Sequence, residues 1–213
     1  MLIMMHPISR DELWHAQLAI LVAIVLQLSL PDSLRVGSKY LVAGLELLLL
    51  FGIWYTAPRR HKGAEVPHRT ISILLIGIIS LANAGQLALL IRTLVDGTDL
   101  PGKSLLTGAL AIFLTNIIMF GLWYWEMASP GLSGKHSNDN EEHFQFPQDQ
   151  NHDKSWGPSF FDFLFLSLTN STAFSPTDTM PMTHAAKALM SAQALISLLT
   201  VVLVTARAVN ILA

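Results

Sequence analysis

The sequence predicts an all-α membrane protein: five transmembrane helices plus one re-entrant half-helix placed before the last of them. Three observations lead there. Charged residues make up 13% of the 213 residues and apolar residues 52%, whereas soluble domains carry roughly 25% charge. The missing charge is withdrawn from long continuous runs, which marks lipid rather than a large aqueous core. One further apolar run is too short to cross a bilayer and is fenced by helix breakers at both ends.

A helix needs about 20 apolar residues, at about 1.5 Å each, to cross roughly 30 Å of hydrocarbon. Four runs of suitable character precede residue 130. The first, Leu13–Leu30, ends at Pro31-Asp32. It is longer than the core of a signal peptide and lacks a small-x-small cleavage site, so it is expected to be a retained anchor. The second, Tyr40–Thr56, ends at Ala57-Pro58-Arg59-Arg60. The third, Ile71–Val95, carries Asn83 and Gln86 on one face, the usual polar glue between membrane helices. The fourth, Ser104–Ala128, ends in Trp123-Tyr124-Trp125-Glu126, which reads as an interfacial aromatic belt.

From Ser129 to Gly157 the composition turns to Pro, Gly, Asn, Gln, His and acids, a solvated acidic loop. It holds His136, Asp139, Glu141, Glu142, His143, Asp149, His152 and Asp153, whose spacing fits no tight metal-ligand set. Over a pore mouth, its charge would concentrate cations. Next comes Ser159–Ser171, the short run. Trp156-Gly157-Pro158 breaks any preceding helix, and Ser159 with Asp162 forms an S-x-x-D capping pattern. Ser175-Pro176-Thr177-Asp178 and Pro181 end it. Irregular backbone at membrane depth survives only where it is buried in protein or lines water, so a cavity is expected here. The last run, Ala185–Ala213, is long enough to cross. No repeat relates the two halves, which leaves an inverted-repeat transporter without sequence support.

The chemistry concentrates in residues 159–184. The half-helix delivers Thr169-Asn170-Ser171-Thr172 into a turn containing Asp178. A helix C-terminus carries roughly half a negative charge and favours a cation at its tip. Hydroxyls and carbonyls there replace part of a hydration shell. On the last helix Met190, Gln193, Ser197 and Thr200 fall on one stripe. That stripe reads either as the lining of a watery vestibule or as a seam against a neighbouring helix. Glu46, inside the second run, costs about 2.5–3.5 kcal/mol as a carboxylate unless paired or protonated. It reads as a proton or ion relay partnered by Gln27, Asn83, Gln86 or Arg92, or as a carboxyl bonded across helices for packing.

Half-helix, polar turn, Asp, Pro and long inner helix resemble the pore unit of the potassium-channel superfamily of pore-loop cation channels. Ser167 to Thr183 align without gaps on that family's pore helix, T-T-V-G-Y-G-D filter and following x-x-P, with Thr172, Asp178 and Pro181 matching. The resemblance covers residues 104–213, as outer helix, acidic loop 129–157, re-entrant segment 159–184 and inner helix 185–213; the three helices of residues 1–103 match nothing in it. It implies a filter from Thr172, Ala173, Phe174, Ser175, Pro176, Thr177 and Asp178, with Thr169 and Asn170 on the pore helix and Gln193, Ser197 and Thr200 at the vestibule. It also implies a homotetramer, since one pore segment per chain encloses an axis only in four copies. The departures matter. Ser175 and Thr177 replace both filter glycines, Pro176 replaces the aromatic between them, and Ala173 replaces the innermost threonine. Threonine resists positive φ and proline fixes φ near −65°, so the usual ring of carbonyls is not expected. A wider, hydrated constriction passing monovalent cations with weak selectivity is.

Two alternatives stand beside passive permeation: a non-conducting scaffold or sensor with a pore-like fold, and a proton-coupled carrier centred on Glu46. An enzyme is not expected, because no Ser/His/Asp set, paired carboxylates or phosphate-cradling glycine loop sits in the helices. No cofactor is called for. The absence of cysteine removes disulfides and thiolate metal sites, and a net charge of −2 argues against nucleic acid. The run Thr169 to Asp178 also resembles one in bacterial membrane proteins, so the expected location is a bacterial-type plasma membrane, multi-pass. Channel analogy puts the acidic loop and the N-terminus outside. The positive-inside rule opposes this, because Arg59-Arg60-His61-Lys62 share that side.

Overall fold

The computed structural model describes residues 10–38, 40–56, 68–97, 101–128, 143–148, 156–172 and 179–212. They form α1 (Arg10–Ser29), a 3-10 turn (Asp32–Leu34), α2 (Leu41–Thr56), α3 (His68–Val95), α4 (Gly102–Ala128), β1 (Phe144–Gln145), α5 (Phe160–Thr172), β2 (Met180–Pro181) and α6 (His184–Leu212). The apolar runs thus become helices within three residues of their expected ends. Three stretches, Ser72–Val95, Gly102–Ala128 and His184–Ala206, are long and apolar enough to span a membrane. Within the described residues of α1 and α2, Trp14–Ser29 and Leu41–Gly52 are apolar over shorter lengths.

Helix α4 is the axis of the fold. It packs against α1, α3, α5 and α6, and from Ile117 to Leu122 every residue is buried. Its neighbours run antiparallel to it; for α3 the short connection to α4 requires this. Pro31 and Leu34, just after α1, lie against Gly108 near the start of α4. On α3, Ser80 accepts a hydrogen bond from Trp123 Nε1 at 3.0 Å, while Asn83 Nδ2 donates to the Ile112 carbonyl at 3.3 Å. The fully buried Ile20, Ala23, Leu49, Ile76 and Ile79 fill the space between α1, α2 and α3.

The opposite faces are apolar and bare. Leu18, Val22 and Val25 on α1, Phe161 and Phe165 on α5, and Leu195, Leu198 and Val202 on α6 are all exposed. A water-soluble chain would bury such continuous faces; lipid or further copies of the chain suit them.

Two expectations change at the end of α4. Tyr124 and Trp125 do not face a lipid boundary but are fully buried, because the chain folds back over them. Trp125 meets Phe160 edge-on at 5.3 Å, and Tyr124 meets Phe144 at 5.3 Å. The second change follows from the first. Residues 143–148, read from sequence as part of a solvated loop, carry two buried rings, Phe144 and Phe146. Phe146 packs edge-on against Phe163 at 5.3 Å and Trp156 at 5.7 Å. The rest of that loop, 129–142 and 149–155, lies outside the described residues.

Candidate functional site

The site is built around α5, whose start is fixed by its cap. Ser159 donates to Asp162 Oδ2 from both its backbone N–H and its hydroxyl, each at 2.7 Å, satisfying groups that the first turn leaves open. Thirteen residues give a helix about 20 Å long. Phe160 sits beside Trp125, Leu164 beside Gly121, and Ser167 Oγ donates to the Ile117 carbonyl at 2.6 Å. α5 therefore descends along α4, antiparallel to it, by about two turns of α4. The chain then returns to the end it came from. Met180 and Pro181 pair antiparallel with Gln145 and Phe144, and Phe144 lies on Tyr124.

The return is locked at the head of α6. Met182 N–H donates to the His143 carbonyl at 2.9 Å, and the His143 ring nitrogen Nδ1 lies 2.8 Å from Thr183 Oγ1. Thr183 in turn caps α6, accepting from Ala186 N–H at 3.2 Å.

The lower half of α5 is tied to α4 and α6 through polar side chains. Gln193 Nε2 lies 3.0 Å from the Ser167 carbonyl, 2.6 Å from Ser167 Oγ and 2.7 Å from Ser171 Oγ. Its Oε1 accepts from Tyr124 Oη–H and, at 2.9 Å, from Asn170 Nδ2. Asn170 Nδ2 also reaches the Met190 carbonyl at 2.9 Å. One turn further along α6, Ser197 Oγ accepts from Asn116 Nδ2 at 3.2 Å, and Thr200 donates to the Ile196 carbonyl at 2.7 Å.

This places the predicted residues. Gln193, Ser197 and Thr200 are buried. Gln193 and Ser197 bond to groups on the facing helices, as polar side chains on an apolar helix commonly do, and Thr200 bonds to its own helix. Thr169 and Thr172 are half-exposed at the tip of α5. Their hydroxyls donate to carbonyls of their own helix, Thr169 to Phe165 and Leu166 at 3.0 Å and Thr172 to Leu168 at 2.9 Å. The oxygens keep lone pairs free to accept, as a cation requires. Ala173, Phe174, Ser175, Pro176, Thr177 and Asp178 lie outside the described residues.

Glu46 is fully buried on α2, and neither carboxyl oxygen has a hydrogen-bond partner among the described residues. Its expected partners are engaged elsewhere. Gln27 and Gln86 exchange hydrogen bonds at 3.3 and 2.7 Å, Asn83 binds the Ile112 carbonyl, and Arg92 pairs with Asp96 at 3.3 Å. Among the described residues no group of three or more His, Cys, Asp or Glu is placed to hold a metal ion.

Sequence reasoning missed the role of residues 143–146. Phe144-Gln145-Phe146 alternates with the period of a strand, and that signal could have identified it. Thr183 as a cap was also readable, standing just before a long apolar run. In comparison with protein-family models, curated proteins and solved structures, the chain finds no match.

Proposed function

We propose that the chain is one subunit of a homotetrameric, multi-pass membrane protein that lets monovalent cations pass passively and with weak selectivity. In this reading α1, α2, α3, α4 and α6 cross the bilayer and α5 is re-entrant. The observation that carries it is the placing of α5 and β2: α5 ends after thirteen residues beside α4, and β2 pairs with β1 at the end of α4 where α5 begins. A polar helix tip left at membrane depth needs water or protein around it. Four copies around an axis supply both. Thr172 and the helix C-terminus then face the axis, and the residues that follow in sequence add the hydroxyls of Ser175 and Thr177 and the carboxylate of Asp178 as candidate contacts for cations. Without filter glycines the constriction holds partly hydrated ions, which is why selectivity is weak.

A second reading, proton-coupled transport, is favoured by one specific observation: the fully buried, unpartnered carboxyl of Glu46. Proteoliposomes separate the two. The pore reading expects K+ and Na+ gradients both to dissipate at comparable rates without a pH gradient, and Glu46→Gln to leave that flux intact. Flux lost in Glu46→Gln and coupled to a pH gradient would support the carrier. No flux of any monovalent cation would leave the non-conducting scaffold.

A further inference from the structure

The Gln193 side chain makes contacts that packing alone does not require. A single amide on α6 engages α5 at Ser167, Asn170 and Ser171, positions on one face of its last two turns, and α4 at Tyr124. The next residue of α5 is Thr172, where the described helix ends. Asn170 Nδ2 adds ties of its own, to Tyr124 Oη at 3.3 Å and to the Met190 carbonyl at 2.9 Å, and Ser167 Oγ donates to the Ile117 carbonyl. The Gln193 amide is the point where these ties converge, joining three residues of the lower half of α5 to both α4 and α6.

We propose that Gln193 is the positioning residue of the constriction: it holds the tip of α5 at a set rotation and depth against α6, and so fixes how closely the Thr172 hydroxyl approaches the ion path. This rests on the pore reading for its function, though not for its geometry. The contribution of Gln193 is to the width of the constriction, through α5, without contact with the ion. A shift of α6 would carry the tip of α5 with it through the same amide.

Because the chain contains no cysteine, single cysteines report cleanly. Full-length Thr172→Cys protein in liposomes is treated with a small and a bulky cationic methanethiosulfonate reagent, with and without Gln193→Leu, Tyr124→Phe or Ser171→Ala. Loss of the amide contacts is expected to speed reaction of Thr172→Cys by at least about tenfold, the equivalent of about 1.4 kcal/mol or roughly one buried hydrogen bond. It is also expected to narrow the difference between the two reagents. Tyr124→Phe and Ser171→Ala, each removing one partner, are expected to give smaller changes in the same direction, and they carry the test if Gln193→Leu does not fold. A control cysteine at the buried Ser72 on α3 should stay unreactive in every background. Rates within about twofold of the parent in all three variants, or Ser72→Cys reacting in step with Thr172→Cys, would overturn the proposal. Where wild-type protein conducts, Gln193→Leu should also shift the K+ to Na+ permeability ratio. Absence of any wild-type flux would count against the pore reading alone and leave the reactivity result standing.

Discussion

Phe163→Ala is expected to lower stability by about 3–5 kcal/mol, the usual cost of truncating a fully buried phenylalanine, and to release residues 143–148 from the helices. Phe163 is completely buried on α5 and meets both rings of the returning segment, Phe144 at 6.2 Å and Phe146 at 5.3 Å with the planes nearly perpendicular. Such edge-to-face pairs add about 0.5–1.5 kcal/mol each beyond burial. Removing one ring therefore loosens a cluster that also contains Tyr124 and Trp156. Thermal unfolding in detergent, followed by near-UV circular dichroism, would show a lower midpoint. Limited proteolysis should cut near residue 146 in the variant and not in the parent. An unchanged midpoint would mean that the aromatic cluster does not hold β1 in place.

Gly121→Leu is expected to push α5 off α4, at a cost of about 3 kcal/mol, the upper end of the range for overpacking. A Cβ at Gly121 would lie 3.2 Å from Leu164 Cα and 3.2 Å from its Cδ1. The first of these is backbone, which cannot step aside as a flexible side-chain end can. Gly121→Ala should be milder, requiring α5 to yield by a few tenths of an ångström. Gly44 on α2 is the control, since nothing lies within 4 Å of a Cβ built there. Gly44→Ala should be neutral or stabilising by up to about 1 kcal/mol, through helix propensity. In the pore reading Gly121→Leu also abolishes cation flux. Oligomer mass and unfolding midpoint, measured side by side for the three variants, check the ranking.

The helices were legible because lipid imposes a crude rule: long apolar runs closed by Pro, Gly or charge. The length of α5 and its Ser159–Asp162 cap followed from the same local signals. What lay beyond the sequence is pairing between distant segments. Nothing in Phe144-Gln145-Phe146 alone says that it will meet Met180-Pro181 and Phe163. The direction of a polar stripe is equally ambiguous, since Gln193, Ser197 and Thr200 have the same spacing whether they face water or α4 and α5. In the chain all three are buried. For Glu46 the sequence supplied four plausible partners, and the helix rotations turn each toward another group.

In the proposed reading, an axis shared by four chains turns the half-buried tip of α5 into a passage. The most direct measurement is therefore the mass of the assembled protein, extracted in mild detergent or lipid nanodiscs and weighed by native mass spectrometry. Four 23.4 kDa chains per particle are expected. A single folded chain as the sole species, in every detergent and lipid tried, would contradict the shared axis and the cation passage built on it.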